Sequence, residues 1–254
     1  MTLLAVSNLT KSFGGVNAVE DVSFAVQPGT IHAVIGPNGA GKTTLFNLIT
    51  GIYTPSGGRI QLEDKDVTGQ APESLAKQGM SRTFQNLQVC MNMSAIENVM
   101  IGAHLRLNQS LFAGMLSLPS IRTNDKKIRD EAAELMQFVG VGRYLDAHAS
   151  QMPYGSLKRL EIARALAAKP RLLLLDEPAA GLNDTETHEV DELIKKLPST
   201  GVTVVLVEHD MKLVMNISDQ ILVLNYGRRL AEGTPLEIRA NPEVIAAYLG
   251  AEGA

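Results

Sequence analysis

The sequence contains one cysteine, Cys90, and no tryptophan in 254 residues. A single cysteine excludes an internal disulfide, so no covalent cross-link stabilises the fold. The opening residues, Met-Thr-Leu-Leu-Ala-Val-Ser, lack the basic region and the long apolar core of a secretory signal. We therefore expect a protein of a reducing cytosol.

Long hydrophobic runs are missing too. The longest uncharged stretch, Leu107–Ile121, is interrupted by polar residues, a glycine and a proline. It is also shorter than the roughly 20 apolar residues that a membrane-spanning helix needs. The sequence therefore predicts no membrane span, and we expect any role at a membrane to be peripheral.

Positive charge is scarce as well, with 23 Lys and Arg against 27 Asp and Glu and a net charge of -4. A general nucleic-acid binder carries an excess of basic residues, so the composition argues against a nucleic-acid partner. Hydrophobic residues form 45% and charged residues 20% of the chain, as in ordinary folded proteins. A chain of this length can bury a core without disulfides or metals, which excludes a small stapled scaffold.

The first part of the chain shows two kinds of strand. Leu3–Leu9 and Val19–Val26 are typical of an antiparallel pair. Ile31–Ile35 is a mostly apolar run, and it is followed by a glycine-rich loop and a helical stretch that ends near Gly51. This segment predicts a strand, a loop and a helix in succession.

The rest of the chain alternates between helices and buried strands. Between about Glu73 and Ala149 strand signals are few, and the apolar face along 125–139 is typical of a helix. Apolar runs then return at Leu172–Leu175, Val202–Val207 and Ile221–Leu224. The sequence therefore predicts an α/β fold with a parallel sheet covered by helices and one helical insertion.

Residues 36–43, Gly-Pro-Asn-Gly-Ala-Gly-Lys-Thr, match the pattern G-x-x-x-x-G-K-[ST] between the predicted strand and helix. Glycines let backbone N–H groups surround phosphates, and the positive end of the helix dipole favours their charge. Lys42 is expected to reach the outer phosphates, and the Thr43 hydroxyl to bind Mg²⁺. The candidate nucleotide-binding residues are Gly36, Asn38, Gly39, Ala40, Gly41, Lys42, Thr43 and Thr44.

Two carboxylates follow the four leucines Leu172–Leu175. In a central parallel strand the leucines are buried on both faces, and Asp176 and Glu177 stand at the carboxyl end, where ligands bind. Asp176 suits the shell of Mg²⁺. Glu177 suits accepting a proton from an attacking water, or orienting that water.

A histidine, His209, follows the next predicted strand in Val-Glu-His-Asp at 207–210. A lone histidine is more often structural or exposed. At the same sheet edge as the other motifs, its imidazole would be placed to contact a terminal phosphate. His209 therefore joins Lys42 and Glu177 as a catalytic candidate.

Together these motifs resemble those of the ATPase subunits of ABC transporters, over essentially the whole chain. The resemblance implies ATP and Mg²⁺ as substrate and cofactor, and hydrolysis coupled to transport. It implies a phosphate-loop (RecA-like) core sheet, an antiparallel β subdomain and an inserted helical lobe. The resemblance implies a single domain, 1–254, with two parts. The nucleotide-binding core and its β subdomain comprise 1–84 and 160–254. The helical lobe, which includes the signature, comprises 85–159.

The resemblance adds two residues that spacing alone would not indicate. Gln85, in Arg-Thr-Phe-Gln-Asn at 82–86, resembles the glutamine that joins core to lobe and contacts Mg²⁺ and water; it is thus a catalytic and metal-binding candidate. Phe13 stands where the family stacks an aromatic ring on adenine. A core phenylalanine is the alternative, although Gly14 and Gly15 favour an exposed turn.

Residues 152–156, Met-Pro-Tyr-Gly-Ser, resemble the family signature Leu-Ser-Gly-Gly-Gln, and residues 157–166 resemble the helix that follows it. Gly155 is retained and is a candidate for contact with nucleotide. Pro153, Tyr154 and Ser156 replace a serine, a glycine and a glutamine. Ala-Gly-Leu-Asn at 180–183 resembles the loop that contacts the other subunit, with Asn183 where aspartate is usual.

Within the family, the resemblance is closest to the ATPases of high-affinity branched-chain amino-acid importers. It is carried by the residues around the signature, by Glu-His-Asp-Met at 208–211, and by the ending with Gly233-Thr234-Pro235, Asn241-Pro242 and Tyr248-Leu249-Gly250. Importers for other amides or amino acids would share many of these sequence motifs, so the motifs do not identify the transported solute.

The implied partners are a second ATPase subunit, identical or different, and transmembrane permease subunits. Each ATP would lie between the phosphate loop of one ATPase and the signature of the other, at the inner face of the cell membrane. A solute-binding protein outside the membrane would be an indirect partner. Four apolar residues are candidates for the floor under the permease helices or for packing in the lobe: Leu87, Val89, Met91 and Met93.

Two other functions compete with this interpretation. A soluble ATPase of the same superfamily, without a membrane partner, usually carries two cassettes or a long coiled coil, and this chain shows one cassette and no sustained heptads. A phosphate-loop GTPase or a small-molecule kinase is a less similar alternative, which shares only the phosphate loop and the magnesium-binding aspartate. The sequence has no Asn-Lys-x-Asp motif, and a kinase has no use for a signature-like helix.

Overall fold

The computed structural model describes residues 2–106 and 119–249. Most of the uncharged stretch Leu107–Ile121 lies outside the described residues, as does Gly250. The described part of the chain contains two sheets, and helices connect most strands of the larger one.

The smaller sheet is antiparallel, in the order β2-β1-β4-β5. Its strands are β1 (Leu4–Phe13), β2 (Val16–Val26), β4 (Gly57–Leu62) and β5 (Lys65–Asp66). Strands β1 and β2 form the predicted hairpin, with Leu4 opposite Val26 and Val6 opposite Phe24. The antiparallel β subdomain is therefore confirmed, although β4 and β5 were not predicted individually.

The larger sheet has the order β10-β9-β3-β8-β7-β6. Its strands are β3 (Ile31–Ile35), β6 (Met80–Arg82), β7 (Leu172–Asp176), β8 (Thr203–Val207), β9 (Gln220–Asn225) and β10 (Arg228–Gly233). Every pairing from β9 to β6 is parallel, which confirms the predicted parallel sheet. The edge strand β10 pairs antiparallel with β9, so the sheet is mixed. All residues of β3, β7 and β8 are buried, as a central parallel strand requires.

The helices vary from six to 20 residues in length. They are α1 (Lys42–Ile49), α2 (Pro72–Lys77), α3 (Ala95–Gly102), α4 (Pro119–Phe138), α5 (Tyr154–Ala167), α6 (Asp184–Lys196), α7 (Met211–Ile217), α8 (Pro235–Ala240) and α9 (Pro242–Leu249). The helix predicted along 125–139 corresponds to α4. Ser94 and Thr234 begin α3 and α8 with a capping box, each through a glutamate three residues later.

The contacts divide the chain into two compact units. The first unit contains the residues up to Arg82, Arg171–Pro178 and the chain from Asp191 onward, with a core made by both sheets and α1. The second unit contains Thr83–Pro170 and Ala179–Val190, and α3, α4 and α5 supply most of its buried apolar side chains. The functional boundaries at residues 84 and 160 stay a prediction.

Candidate nucleotide site

The phosphate loop connects β3 to α1 in the first unit, and its shape depends on glycine. Gly36 has φ of 152°, and a Cβ atom there would lie 2.2 Å from the carbonyl oxygen of Leu224. Gly41 has φ of 98°, and its Cβ would lie 2.4 Å from the carbonyl oxygen of Ala18. Side chains are sterically excluded at both positions. The chain can therefore wind tightly before α1 begins.

Lys42 lies inside this loop. Its side chain is buried, and its Nζ donates hydrogen bonds to the carbonyl oxygens of Gly36 at 2.7 Å and Pro37 at 3.0 Å. Burial lowers the pKa of the Lys42 ammonium, while the negative charge of Glu177 raises it. The ammonium is thus held by carbonyl oxygens of the loop, within the field of the Glu177 carboxylate.

The first turn of α1 supplies backbone donors. Leu45 donates to the carbonyl oxygen of Gly41, so the N–H groups of Lys42, Thr43 and Thr44 precede the first helical hydrogen bond. These amides and the helix dipole favour an anion at this end. Thr43 is exposed and Thr44 is half-buried, while Asn38 and Gly39 are exposed in the loop and Ala40 is buried.

Asp176 ends β7 and is buried. Its Oδ2 accepts a hydrogen bond from Nη2 of Arg82 at 2.6 Å. Nη1 of Arg82 also donates to Asn47 Oδ1 at 2.7 Å and to Thr50 Oγ1 at 2.9 Å, both at α1. Arg82 was not predicted as a site residue; the available signal was a charged residue at the end of a short strand. Arg82 fixes the Asp176 carboxylate relative to the helix of the phosphate loop.

Glu177 and His209 meet at the carboxyl ends of β7 and β8. The His209 Nε2 lies 2.7 Å from Oε1 of Glu177. Glu177 has φ of 48°, and its N–H donates to the carbonyl oxygen of Val207 at 2.9 Å. This unusual backbone turns the carboxylate out of the strand direction. The two catalytic candidates form one hydrogen-bonded pair.

Phe13 is exposed at the end of β1, so it is not a core residue. Its ring packs edge-on against Tyr53, with centroids 5.4 Å apart, and Nζ of Lys11 lies 5.0 Å from its centroid. Tyr53 was not singled out in the sequence analysis. The two rings give an exposed aromatic surface of the kind that stacks on a base.

The remaining two candidates, Gln85 and Gly155, belong to the second unit. The side chain of Gln85 is exposed, and its carbonyl oxygen accepts a hydrogen bond from Nζ of Lys158 at 3.0 Å. Of the four apolar residues that follow, Met91 is exposed, and Leu87, Val89 and Met93 are half-buried.

The signature residues begin α5. Pro153 is the N-cap and makes no side-chain capping bond, and Tyr154 is exposed. Gly155 is buried, and a Cβ there would lie 2.5 Å from Oε1 of Glu186. Glu186 in turn bonds reciprocally with Asn183, at 3.2 and 3.0 Å. The loop at 180–183 and the start of α5 are therefore packed together within the second unit.

The described residues contain no group of three or more His, Cys, Asp or Glu that could hold a metal ion. Magnesium in nucleotide sites takes only one or two protein oxygens besides the phosphates. The Thr43 hydroxyl and the Asp176 carboxylate have that chemistry, so the residues present fit a nucleotide-bound magnesium.

In the described part of the chain, no helix is long and apolar enough to cross a membrane.

Comparison with known proteins gives consistent matches. Residues 19–180 match the family described as ABC transporter, and residues 228–254 match the family described as branched-chain amino acid ATP-binding cassette transporter. The chain is 47% identical to the high-affinity branched-chain amino acid transport ATP-binding protein BraF of Pseudomonas aeruginosa, over 98% of both chains. It has the same identity and coverage with LivG of Escherichia coli, which has the same description.

Solved structures agree with the fold. The ADP conformation of MJ1267, an ATP-binding cassette of an ABC transporter, matches with a TM-score of 0.86 and 31% identity, over 98% of this chain and 99% of that one. The cbiO1 protein of Clostridium perfringens, part of an ABC transporter complex, matches with a TM-score of 0.81 and 28% identity, over 96% and 93%. With its phosphate loop, buried strands and signature helix, the chain belongs to the ATPase subunits of the ABC transporter family.

Proposed function

We propose that this chain is the ATP-hydrolysing subunit of an importer for branched-chain or related amino acids. The observation that carries the proposal is the 47% identity over 98% of the chain to two ATP-binding proteins of branched-chain amino acid transport. The match of residues 228–254 to the branched-chain cassette family supports it, because that match lies outside the part shared by ABC ATPases in general.

ATP binds with its phosphates on the loop at 36–41 and on the first turn of α1. Lys42 replaces its hydrogen bonds to loop carbonyls by contacts with the outer phosphates, and the buried surroundings strengthen that attraction. The exposed ring of Phe13, supported by Tyr53, stacks on the adenine. These contacts orient the terminal phosphate toward the ends of β7 and β8.

The Thr43 hydroxyl and the Asp176 carboxylate would hold Mg²⁺, with Gln85 as a further ligand implied by the resemblance. When bound, the ion neutralises charge on the phosphate oxygens. Arg82 holds Asp176 through Oδ2 and keeps the carboxylate oriented.

Hydrolysis uses the pair at the strand ends. Glu177 accepts a proton from the water whose oxygen attacks the γ-phosphorus, and the bond to the bridging oxygen of ADP breaks. His209, hydrogen-bonded to Glu177, orients that carboxylate and contacts the terminal phosphate. Lys42 stabilises the charge that develops on the transferred group.

A second ATPase subunit, identical or different, completes the site with its signature, and this chain offers Gly155 and the N-terminus of α5 in return. The ATPase pair works at the inner face of the cell membrane on permease subunits, which receive solute from an external binding protein. ATP-driven closing and product release then drive the permease between its two states.

Transport by the assembled complex tests the proposal. The chain is co-expressed with its membrane subunits, purified and reconstituted in vesicles with ATP, and uptake of labelled leucine is compared with that of labelled glutamate. We expect ATP-dependent uptake of leucine that is competed by isoleucine and valine. Failure to co-purify with any membrane protein would favour the soluble ATPase, and uptake of glutamate alone would overturn the substrate class.

A further inference from the structure

The segment 83–90 connects β6 to the turn before α3 without regular secondary structure. The backbone N–H and C=O groups of this segment are therefore not paired by hydrogen bonds of a strand or helix. They need other partners wherever they are shielded from water. This segment also carries Gln85. The way in which its backbone is held determines how firmly the Gln85 side chain is presented.

Three charged residues of α5 hold this backbone, and they are spaced three apart on one face of the helix. Nζ of Lys158 donates to the carbonyl oxygen of Gln85 at 3.0 Å. Oε1 of Glu161 accepts from the N–H of Gln88 at 3.3 Å, and the same carboxylate accepts from the N–H of Phe84. The guanidinium of Arg164 donates to the carbonyl oxygen of Gln88.

Burial makes these contacts strong. Lys158 and Glu161 are each 3% exposed, and Arg164 Nη2 lies 3.8 Å from the Glu161 carboxylate. A buried charge is stable only when hydrogen bonds and opposite charges satisfy it, so the backbone of 84–88 is part of what keeps these charges paired. Moving the segment away from α5 would leave both a carboxylate and an ammonium without those partners.

A second anchor holds the far end of the segment. Asn98 on α3 is fully buried, and its side chain accepts from the N–H of Cys90 at 2.7 Å and donates to the carbonyl oxygen of Cys90 at 3.0 Å. Helix α3 is itself in close contact with α5, because a Cβ at Gly102 would lie 1.9 Å from the carbonyl oxygen of Arg164. The segment from Phe84 to Cys90 is thus fixed to both helices.

From this geometry we infer that Lys158, Glu161 and Arg164 are positioning residues that join the Gln85 segment and the signature end of α5 into one rigid body. The inference rests on the roles proposed above for Gln85 and for the signature. Helix α5 starts at the signature, so a nucleotide seated there by the other subunit fixes the same helix that presents Gln85. Nucleotide bound at the signature then affects the position of Gln85 at this chain's own nucleotide site, and Glu161 carries that effect.

A double-mutant cycle in the assembled transporter tests this linkage. Steady-state kcat and KM for MgATP are measured for the wild type, Glu161→Ala, Gln85→Ala and the double variant. We expect Glu161→Ala to lower kcat about 10- to 100-fold, as misplacement of a reacting group by about 1 Å does, with KM changed less than about twofold. Because Glu161 acts through Gln85, adding Glu161→Ala to Gln85→Ala should lower kcat no further.

Two variants serve as controls. Glu161→Gln keeps an oxygen that accepts from Phe84 and Gln88, so it should retain most of the turnover. Glu134→Ala removes an exposed glutamate of α4 in the same unit and should leave kcat unchanged. If Glu161→Ala does not fold, Lys158→Met, which removes the donor to Gln85, replaces it in the same cycle.

The outcomes separate the two levels of the argument. If the effects of Glu161→Ala and Gln85→Ala multiply, the linkage is wrong while the proposed function stands. If Glu161→Ala instead raises KM and leaves kcat intact, Glu161 serves nucleotide binding and the linkage is also wrong. If Gln85→Ala leaves kcat unchanged, the proposed role of Gln85 fails and the linkage fails with it.

Discussion

Glu177 shows at the scale of one residue how backbone strain and side-chain chemistry combine. Its φ of 48° is rare for a residue with a side chain, and it persists because the N–H of Glu177 is bonded to Val207 and the carboxylate to His209. The strain turns the carboxylate toward His209 at the sheet edge. A carboxylate held in this way has the fixed position that the proposed proton acceptor needs.

We predict that Glu177→Gln preserves ATP binding and lowers turnover at least about 100-fold, because an amide keeps the shape of the carboxylate and cannot accept a proton. Single-turnover hydrolysis by the assembled complex and equilibrium binding of ATP measure the two effects separately. Near-normal turnover would remove Glu177 from its role. Lost binding would mean that the substitution disturbs the loop itself.

His32 provides a pH-dependent contribution to stability. It lies on β3 at 1% exposure, and its ring packs at a tilt against Phe24 with centroids 5.5 Å apart. Its Nε2 has no hydrogen-bond partner among the described residues. Burial lowers its pKa from 6.5 to about 4. The unfolded chain therefore binds more protons than the folded chain between these values, and stability falls as the pH drops through this window.

We predict that lowering the pH from 7 to 5 reduces the free energy of unfolding by about 2 kcal/mol through His32 alone. Urea unfolding at the two pH values measures the change. In His32→Leu, which cannot titrate, the loss over the same interval should be smaller by about that amount. Equal losses in both proteins would show that His32 is not the group responsible.

At the scale of elements, local patterns predict the strands with apolar or alternating sequences and miss strands with short or polar ones. Residues 31–35 and 172–175 have mostly apolar runs of a length typical of buried strands, and residues 36–43 match a phosphate-binding motif. Strands β4 and β10 contain Gly-Gly-Arg and Arg-Arg, which resemble turns and exposed loops. Of these two, β10 is an edge strand, which pairs through its backbone on one side only and needs few apolar side chains.

Contacts between sequence-distant residues could not be predicted in the same way. Arg82 lies 94 residues from Asp176, and Lys158 lies 73 residues from Gln85. Nothing in a single sequence pairs a buried charge with its partner across such distances. The family resemblance supplied Gln85 and Gly155 as candidates, and the contacts in the structure supply the residues that hold them.

Helices α3 and α5 are in close contact at Gly102. Ala at a helical position is favoured over Gly by up to about 1 kcal/mol, so propensity alone predicts that Gly102→Ala stabilises the chain. The backbone oxygen of Arg164 at 1.9 Å from the added Cβ opposes this. Since overpacking typically costs about 1–3 kcal/mol, we predict a net loss of stability and a melting temperature lower by about 2–4 °C for each kcal/mol.

Thermal unfolding of Gly102→Ala and Gly57→Ala provides the comparison. Gly57 lies in β4 with φ outside the left-handed region, and the nearest atom to a Cβ there is at 4.0 Å. Gly57→Ala should therefore melt within about 1 °C of the wild type, as a substitution without a steric conflict does. A stabilised Gly102→Ala would show that the two helices separate easily.

At the scale of the whole molecule, the candidate residues come from both compact units. The phosphate loop, Asp176, Glu177 and His209 belong to the first unit, and Gln85 and the signature belong to the second. The signature is exposed at Tyr154 and begins a 14-residue helix. By our proposal, a complete ATPase site forms only when the signature at the start of α5 contacts the nucleotide bound to another subunit.

The last prediction concerns Pro153 in the assembled ATPase pair. Proline at the N-cap has neither an N–H nor a side-chain donor, so by our proposal this signature lacks two donors that a serine would offer to the opposite ATP. A serine would add a hydroxyl and an N–H. One hydrogen bond to a charged group is worth about 1.5–3 kcal/mol, so we predict that Pro153→Ser tightens ATP-driven dimerisation about tenfold or more.

Sedimentation of the Glu177→Gln chain with ATP, with and without Pro153→Ser, measures dimerisation while hydrolysis is blocked. Pro153→Ala restores the N–H without the hydroxyl. Comparing it with Pro153→Ser shows how much of the tighter dimerisation comes from each donor. A serine N-cap also stabilises α5 within one chain by about 1 kcal/mol, so ATP affinity of the separated chain must stay unchanged for the gain to belong to the contact between subunits. If dimerisation does not change in either variant, Tyr154 and the helix end suffice, and Pro153 is a neutral replacement of the serine.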